Sequence, residues 1–321
     1  MRLVFFGSGA FGVPTLGSLA SRHEVAAIVT QPDRPAGRGG KLTPTPVAQF
    51  AAEHLANVPL LKPEKVNLPD MVAQIRGYGA DAWVVIAFGQ KLGKALLDGV
   101  FAVNLHASLL PRWRGAAPIN AAILAGDRTT GNSVITLADR MDAGLVLGQS
   151  TREIGPTQTA GELHDLLAAD GPALVAEVLD RFRAGSLEER AQDEALVTIA
   201  PKLSKADGAL DFSRTASELR CRINGLNPWP GVTINVGSEP LKVIRAGTDE
   251  HPHAGTYGGV EGGEPGVLID APRGLVRCGS GSILRLLDVQ PPGKKPMPWG
   301  DFFRGRTLTN GTRVSQTPHA D

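Results

Sequence analysis

At 321 residues, 42% of them hydrophobic, the chain is long enough for two domains and for a sizeable buried core. Lysine and arginine number 33 against 32 aspartate and glutamate, so a bulk basic coat for nucleic acid is excluded while a local basic patch is not. The two cysteines, Cys221 and Cys278, are far apart and lack metal-ligand spacing, which argues against a disulfide framework or a zinc site and points to a reducing cytosol.

The chain begins directly on an apolar strand at residues 2–6, without a basic leader or cleavage signal, and no apolar run is long enough to cross a membrane. A cytoplasmic location is expected. The strand meets Gly7-Ser8-Gly9-Ala10-Phe11-Gly12, which opens a helix through residue 19. This is the glycine pattern of dinucleotide-binding turns. It offers backbone amides to a phosphate, or it simply joins a parallel strand to its crossover helix; a lone glycine pattern favours the second. The acidic residue expected after a second strand (25–29) would be Asp33, but that residue sits between prolines and beside Arg34.

Residues 31–46, rich in proline and glycine, exclude a helix or a central strand and predict a long loop carrying Arg34, Arg38 and Lys41. Such a loop either tracks a phosphate backbone or is a solvated surface segment. A helix (47–55), a short strand (59–61) and another helix (69–76) follow. Residues 81–88 form a near-continuous apolar run, as expected of a central parallel strand. It ends in the turn Gly89-Gln90-Lys91, at the strand end where open α/β sheets place ligands.

The next strand, from residue 101, carries Asn104 and His106, two apart and therefore on one side. A loop with Pro111, two arginines around Trp113, and Gly115 leads into a small-residue helix (116–124). Strands at 132–137 and 145–151 flank Asp139-Arg140-Met141-Asp142, and a long helix (159–184) closes the first domain. The strand–helix alternation predicts a doubly wound, mostly parallel sheet of Rossmann-like type.

Residues 190–205 have mixed charge and no clear period, and predict a linker. Beyond one helix (219–223), short strand-like runs recur between glycine and proline clusters, which predicts a small β-barrel of oligonucleotide-binding (OB) type. The expected division is 1–189 catalytic, 190–205 linker, 206–314 barrel and 315–321 disordered tail.

Asn104, His106 and Asp142 form a chemically coherent set. A neutral amide donates to a developing oxyanion, an imidazole stabilises charge or moves a proton, and a carboxylate orients the ring. None is a strong nucleophile, so the set suits direct attack of an amine on an activated acyl carbon. Singly, each has a structural reading: a strand-end hydrogen bond, a core histidine, a turn cap.

At this point the chain resembles the methionyl-tRNA formyltransferase family. Ser108-Leu109-Leu110-Pro111-Arg112-Trp113-Arg114-Gly115-Ala116-Ala117-Pro118-Ile119 reads as its signature, and Asn104-Leu105-His106 is shared with the wider folate-dependent formyltransferases. Further matches are Gln31-Pro32-Asp33-Arg34-Pro35, Ala200-Pro201-Lys202-Leu203-Ser204-Lys205 and Asn227-Pro228-Trp229-Pro230-Gly231. The resemblance implies a formyl donor, 10-formyltetrahydrofolate, and an acceptor amine on methionyl-initiator tRNA, with no metal, membrane or obligate protein partner. It implies Asn104, His106 and Asp142 as catalytic residues. Ser108, Leu109, Leu110 and Pro111 would touch the folate, with Phe88, Gly89, Gln90 and Lys91 near its pterin. Arg34, Arg38, Lys41, Lys202, Lys205 and the barrel would contact tRNA.

Three rival readings stand beside this one. The acceptor could be a small amine, which would leave the second domain and basic loop without a role. The glycine turn could mark a nicotinamide-dependent oxidoreductase. The barrel could be a non-catalytic tRNA-binding module, which leaves the Asn/His/Asp set unexplained.

Overall fold

The structure, a computed structural model, describes residues 1–36, 40–249 and 263–316. The chain separates into two compact units. The first comprises Met1–Arg114, Gly131–Arg152 and His164–Ile199, and the second Gly115–Thr130, Glu153–Leu163 and Ala200–Asp321.

The first unit is built on a seven-stranded sheet: β1 (Arg2–Gly7), β2 (Glu24–Val29), β3 (Leu60–Leu61), β4 (Ala82–Ile86), β5 (Phe101–His106), β6 (Thr129–Thr136) and β7 (Val146–Glu153). Their order across the sheet is β7-β6-β5-β4-β1-β2-β3. β1 to β5 pair in parallel, and β6 runs antiparallel to β5. The chain winds outward from β1 to β3, then returns to the other side of β1 with β4. That reversal is the switch point at which open α/β sheets form a crevice beyond the strand ends.

Burial explains the unbroken apolar runs. Val4, Phe6, Trp83 and Val85 pack on one face with Ile75 of the helix Pro69–Gly77. On the other face, a Cβ on Gly171 of the helix Ala160–Arg183 would stand 2.7 Å from Leu105 and 3.0 Å from Thr15 of the helix Val13–Arg22. Helices cover both faces, so the sheet is doubly wound as expected.

The glycine turn after β1 knits strand ends together. Ser8 Oγ donates to the Phe88 carbonyl at 3.0 Å and accepts from the Gln31 amide at 3.0 Å. Asp33 is ion-paired with Lys62 at 2.6 Å. Part of the expected loop is paired: Arg34–Ala36 and Lys41–Thr43 run antiparallel as a separate two-stranded ribbon. Pro35 lacks an N–H, which is tolerated in a free ribbon but not inside the main sheet.

The second unit holds an antiparallel sheet of β8 (Val232–Val236), β9 (Glu239–Thr248), β10 (Val267–Asp270), β11 (Leu275–Arg277), β12 (Ile283–Gln290) and β13 (Val314–Gln316), in the order β10-β11-β12-β9-β8-β13. A bridge between Val267 and Arg313 joins its two ends and closes a barrel-like wall. Leu219 and Ile223, from the helix Ala216–Gly225, pack with Ile234, Val243, Leu284 and Trp299 in its core. Ser315 and Gln316 belong to β13 rather than to a tail, because they pair with Asn235 and Ile234 of β8.

Candidate active site

β5 delivers the two central side chains. Asn104 is in register with Val85 of β4 and Ile135 of β6, and His106 with Ser133. Two-residue spacing puts both on one face of the strand. Asn104 is half-buried and His106 is buried, with 6% of its surface exposed.

The hydrogen bonding of His106 defines its chemistry. Its Nε2 lies 2.9 Å from the Trp113 carbonyl. A carbonyl only accepts, so Nε2 carries a proton and Nδ1 is the bare nitrogen of the neutral ring. Asp142 Oδ1 stands 3.7 Å from Nδ1, within ion-pair range but beyond hydrogen-bond length. The structure therefore brings His106 and Asp142 together across 36 positions (142 − 106), with Nδ1 facing the carboxylate.

Three of the four left-handed non-glycine residues among the described residues flank this site: Ala87 (φ 48°), Trp113 (φ 63°) and Asp142 (φ 54°). Each such conformation costs about 1–2 kcal/mol and must be held by its surroundings. The Ser8 amide donates to the Ala87 carbonyl at 3.2 Å. The Trp113 amide donates to Thr198 Oγ1 at 2.9 Å. Gln192 Nε2 donates to the carbonyls of Asp142 and Gly144, each at 2.8 Å.

The turn expected to face the pterin is equally constrained. The Phe88 carbonyl accepts from Ser8 and, at 3.1 Å, from Gln31 Nε2; Gly89 sits beyond it with φ 87°. Gln90 accepts from the Val66 amide at 2.9 Å and donates to the Pro63 carbonyl at 3.0 Å. Lys91 Nζ donates to the Asp139 carbonyl at 2.9 Å, which ties this turn to the loop bearing Asp142.

The loop from Ser108 to Pro111 is stapled from below. Ser133 Oγ donates to the Ser108 carbonyl at 2.6 Å and accepts from the Leu110 amide at 3.1 Å. Gln149 Nε2 donates to the Leu110 carbonyl at 2.9 Å. Ser108 is fully buried, with its hydroxyl donating to the Arg112 carbonyl. Its side chain shapes the loop, and Leu109 and Pro111 keep the partly exposed surface.

Arg34 is exposed and paired with Glu64, and Lys41 is exposed on the hairpin; Arg38 lies outside the described residues. Lys202 and Lys205 are exposed in the second unit. Among the described residues no cluster of histidine, cysteine or carboxylates is arranged to hold a metal, and no helix is long and apolar enough to cross a membrane.

Sequence reasoning missed three participants: the Trp113 carbonyl, buried Arg114, and Gln192. The first is a backbone group without a sequence signal. Arg114 sits in the signature but is indistinguishable there from exposed Arg112. Gln192 lies in the stretch expected to be a linker, and no local pattern marks it.

Comparisons with known proteins agree with this architecture. Residues 1–179 match the family model described as formyl transferase, and residues 202–307 match formyl transferase, C-terminal domain. The chain is 42% identical over 316 residues to a methionyl-tRNA formyltransferase of Citrifermentans bemidjiense, covering 97% of this chain and 95% of the relative. It is 41% identical over 321 residues to one of Geobacter sulfurreducens, covering 98% and 97%. Among solved structures, it resembles a sugar 3N-formyl transferase, WlaRD, determined in the presence of dTDP and 5-N-formyl-THF (TM-score 0.67, 14% identity, covering 92% and 99%). HypX from Aquifex aeolicus, in complex with tetrahydrofolic acid, aligns with TM-score 0.59 and 16% identity, covering 94% of this chain and 46% of that one. At such identities these structures speak for the fold alone. The chain belongs to the formyl transferases, and within them to the methionyl-tRNA formyltransferase family.

Proposed function

We propose that this chain transfers the formyl group of 10-formyltetrahydrofolate to the free amino group of methionyl-initiator tRNA, in the cytoplasm, for translation initiation. The observation that carries the reading is its kinship along nearly the whole length, second domain included, to relatives named for that reaction.

The geometry suits the chemistry. The acceptor amine attacks the formyl carbon and forms a new C–N bond. The carbonyl oxygen becomes an oxyanion, which collapses as the bond to the folate nitrogen breaks. The Asn104 amide donates to that oxygen without changing charge. His106, with Nε2 held by Trp113, presents Nδ1 to the reacting groups and adds charge stabilisation when protonated there. Asp142 stands opposite that nitrogen, supports the imidazolium, and helps pass the proton lost by the amine to the leaving nitrogen. The products are a formylated amine and tetrahydrofolate, with no covalent enzyme intermediate.

In this reading residues 1–189 do the chemistry. Phe88 to Lys91 and Ser108 to Pro111 line the folate, and the constrained backbone of both segments suits a flat ligand that needs a fixed slot. Residues 206–314 and the exposed Lys202 and Lys205 serve the tRNA backbone, together with Arg34, Arg38 and Lys41. A small acceptor would not need these groups.

The test is a formylation assay with 10-formyltetrahydrofolate and charged initiator tRNA, run beside free glycinamide ribonucleotide. Transfer to the tRNA is expected to dominate. Faster transfer to the small amine would overturn the acceptor assignment.

A further inference from the structure

Residues 190–198 read as a mixed-charge connector, yet in the structure they are strapped across the first unit. Arg190 exchanges backbone hydrogen bonds with Val146, at 2.8 and 3.0 Å. Gln192 donates to the carbonyls of Asp142 and Gly144, at 2.8 Å each. Thr198 accepts the Trp113 amide on its hydroxyl and the Arg114 amide on its carbonyl, both at 2.9 Å. One segment thus grips both the loop that bears Asp142 and the peptide whose carbonyl receives His106.

The side chain of Gln192 is oriented by a group that has no choice of role. Arg114 Nε–H, an obligate donor, meets Gln192 Oε1 at 2.9 Å. That fixes the amide so that its NH2 faces the two carbonyls; the flipped amide would set oxygen against oxygen and N–H against N–H. Arg114 is only 5% exposed, and its terminal nitrogens reach Glu194 at 2.9 and 3.4 Å. Glu194 also pairs with Arg140, two residues before Asp142, at 2.7 Å. Both guanidinium groups hold its carboxyl below the usual range, so it stays ionised and balances the buried cation.

We infer that Gln192, oriented by Arg114, is a positioning residue: it holds the left-handed Asp142 backbone so that the carboxylate stands opposite His106 Nδ1. The inference rests on the reading of His106 and Asp142 as the catalytic pair. Gln192 acts only through Asp142 and touches no substrate.

The test compares steady-state formylation by Gln192→Ala, Gln192→Glu, Asp142→Ala and the double variant Gln192→Ala/Asp142→Ala, each checked for folding by circular dichroism. Gln192→Ala is expected to lower kcat by about 10- to 100-fold, with KM for both substrates little changed, because displacement of a reacting group by an ångström costs that much. Gln192→Glu has nearly the same shape and keeps an acceptor for Arg114, but loses both donors. It should fall as far, and it keeps the test open if the alanine variant folds poorly. The double variant should be no slower than Asp142→Ala alone. Wild-type kcat in Gln192→Glu beside an inactive Asp142→Ala would overturn the positioning role and leave the catalytic pair standing. So would a double variant slower than Asp142→Ala by the full Gln192→Ala factor. If Asp142→Ala itself turned over normally, the catalytic pair would fall, and Gln192 with it.

Discussion

His106 donates from Nε2 to the Trp113 carbonyl at 2.9 Å, and that bond turns its other nitrogen toward Asp142. A loop conformation, set by a left-handed tryptophan, therefore decides which imidazole nitrogen is available for chemistry. The two ring nitrogens are not interchangeable here: one is held by a backbone carbonyl and the other faces a carboxylate.

Replacing either member of the pair should stop the reaction without emptying the enzyme of tRNA. His106→Ala and Asp142→Ala are each expected to lose about 10²- to 10⁴-fold in kcat, the range of general acid–base contributions. Binding of charged tRNA, followed by filter retention, should stay close to wild type. Near-normal formylation by either variant would remove it from the catalytic set.

Gly144 should tolerate no side chain. A Cβ there would stand 1.7 Å from the Thr136 carbonyl oxygen, so alanine must push the backbone aside. Overpacking of this kind costs about 2 kcal/mol. The same shift would move a carbonyl that Gln192 holds. Gly144→Ala is expected to lower both the denaturation midpoint and kcat, and a urea titration matching wild type would refute the close approach.

Acid should erode one link inside the second unit. Arg245 donates to Glu162 at 2.5 and 3.0 Å and holds that carboxyl down at about 2, against an ordinary value of 4.5. A folded pKa below the unfolded one stabilises the fold above the unfolded value, and the contribution is lost as pH falls toward the folded one. Glu162→Gln should therefore be less stable than wild type at pH 7, by on the order of 1 kcal/mol given solvent screening of a side chain nearly half exposed. The gap should close between pH 4.5 and about 2. A gap of constant size from pH 7 to the acid limit, measured by unfolding, would show that the ion pair is not its source.

Lys202 and Lys205 should act on tRNA and not on chemistry. The double alanine variant is expected to weaken tRNA binding and to flatten its salt dependence by up to about one unit of log–log slope per lost phosphate contact. KM for the folate should stay where it was. An unchanged slope would make these two lysines ordinary solvated residues.

Much of this was legible along the chain. The runs at β1 and β4 are apolar at both parities because both faces of a central parallel strand are covered. Asn104 and His106 could be placed on one face from their spacing alone. The helix expected at 219–223 starts earlier, at Ala216, where Thr215 and Glu218 form a reciprocal capping box. The hairpin within 31–46 was not legible, because proline and glycine forbid helix and central strand but are silent about a free two-stranded ribbon.

What the sequence determined by itself were the properties that short-range physics sets: strand parity, breakers, and the residue types able to stabilise an oxyanion. Tertiary structure alone decided that Arg114 is buried while Arg112 is exposed, that the Trp113 carbonyl claims one nitrogen of His106, and that Gln192 closes on Asp142 from 50 positions away (192 − 142). The physical reason is hydrogen-bond satisfaction in the interior. Buried donors and acceptors must be paired, but which distant groups pair is settled only when packing brings their segments together.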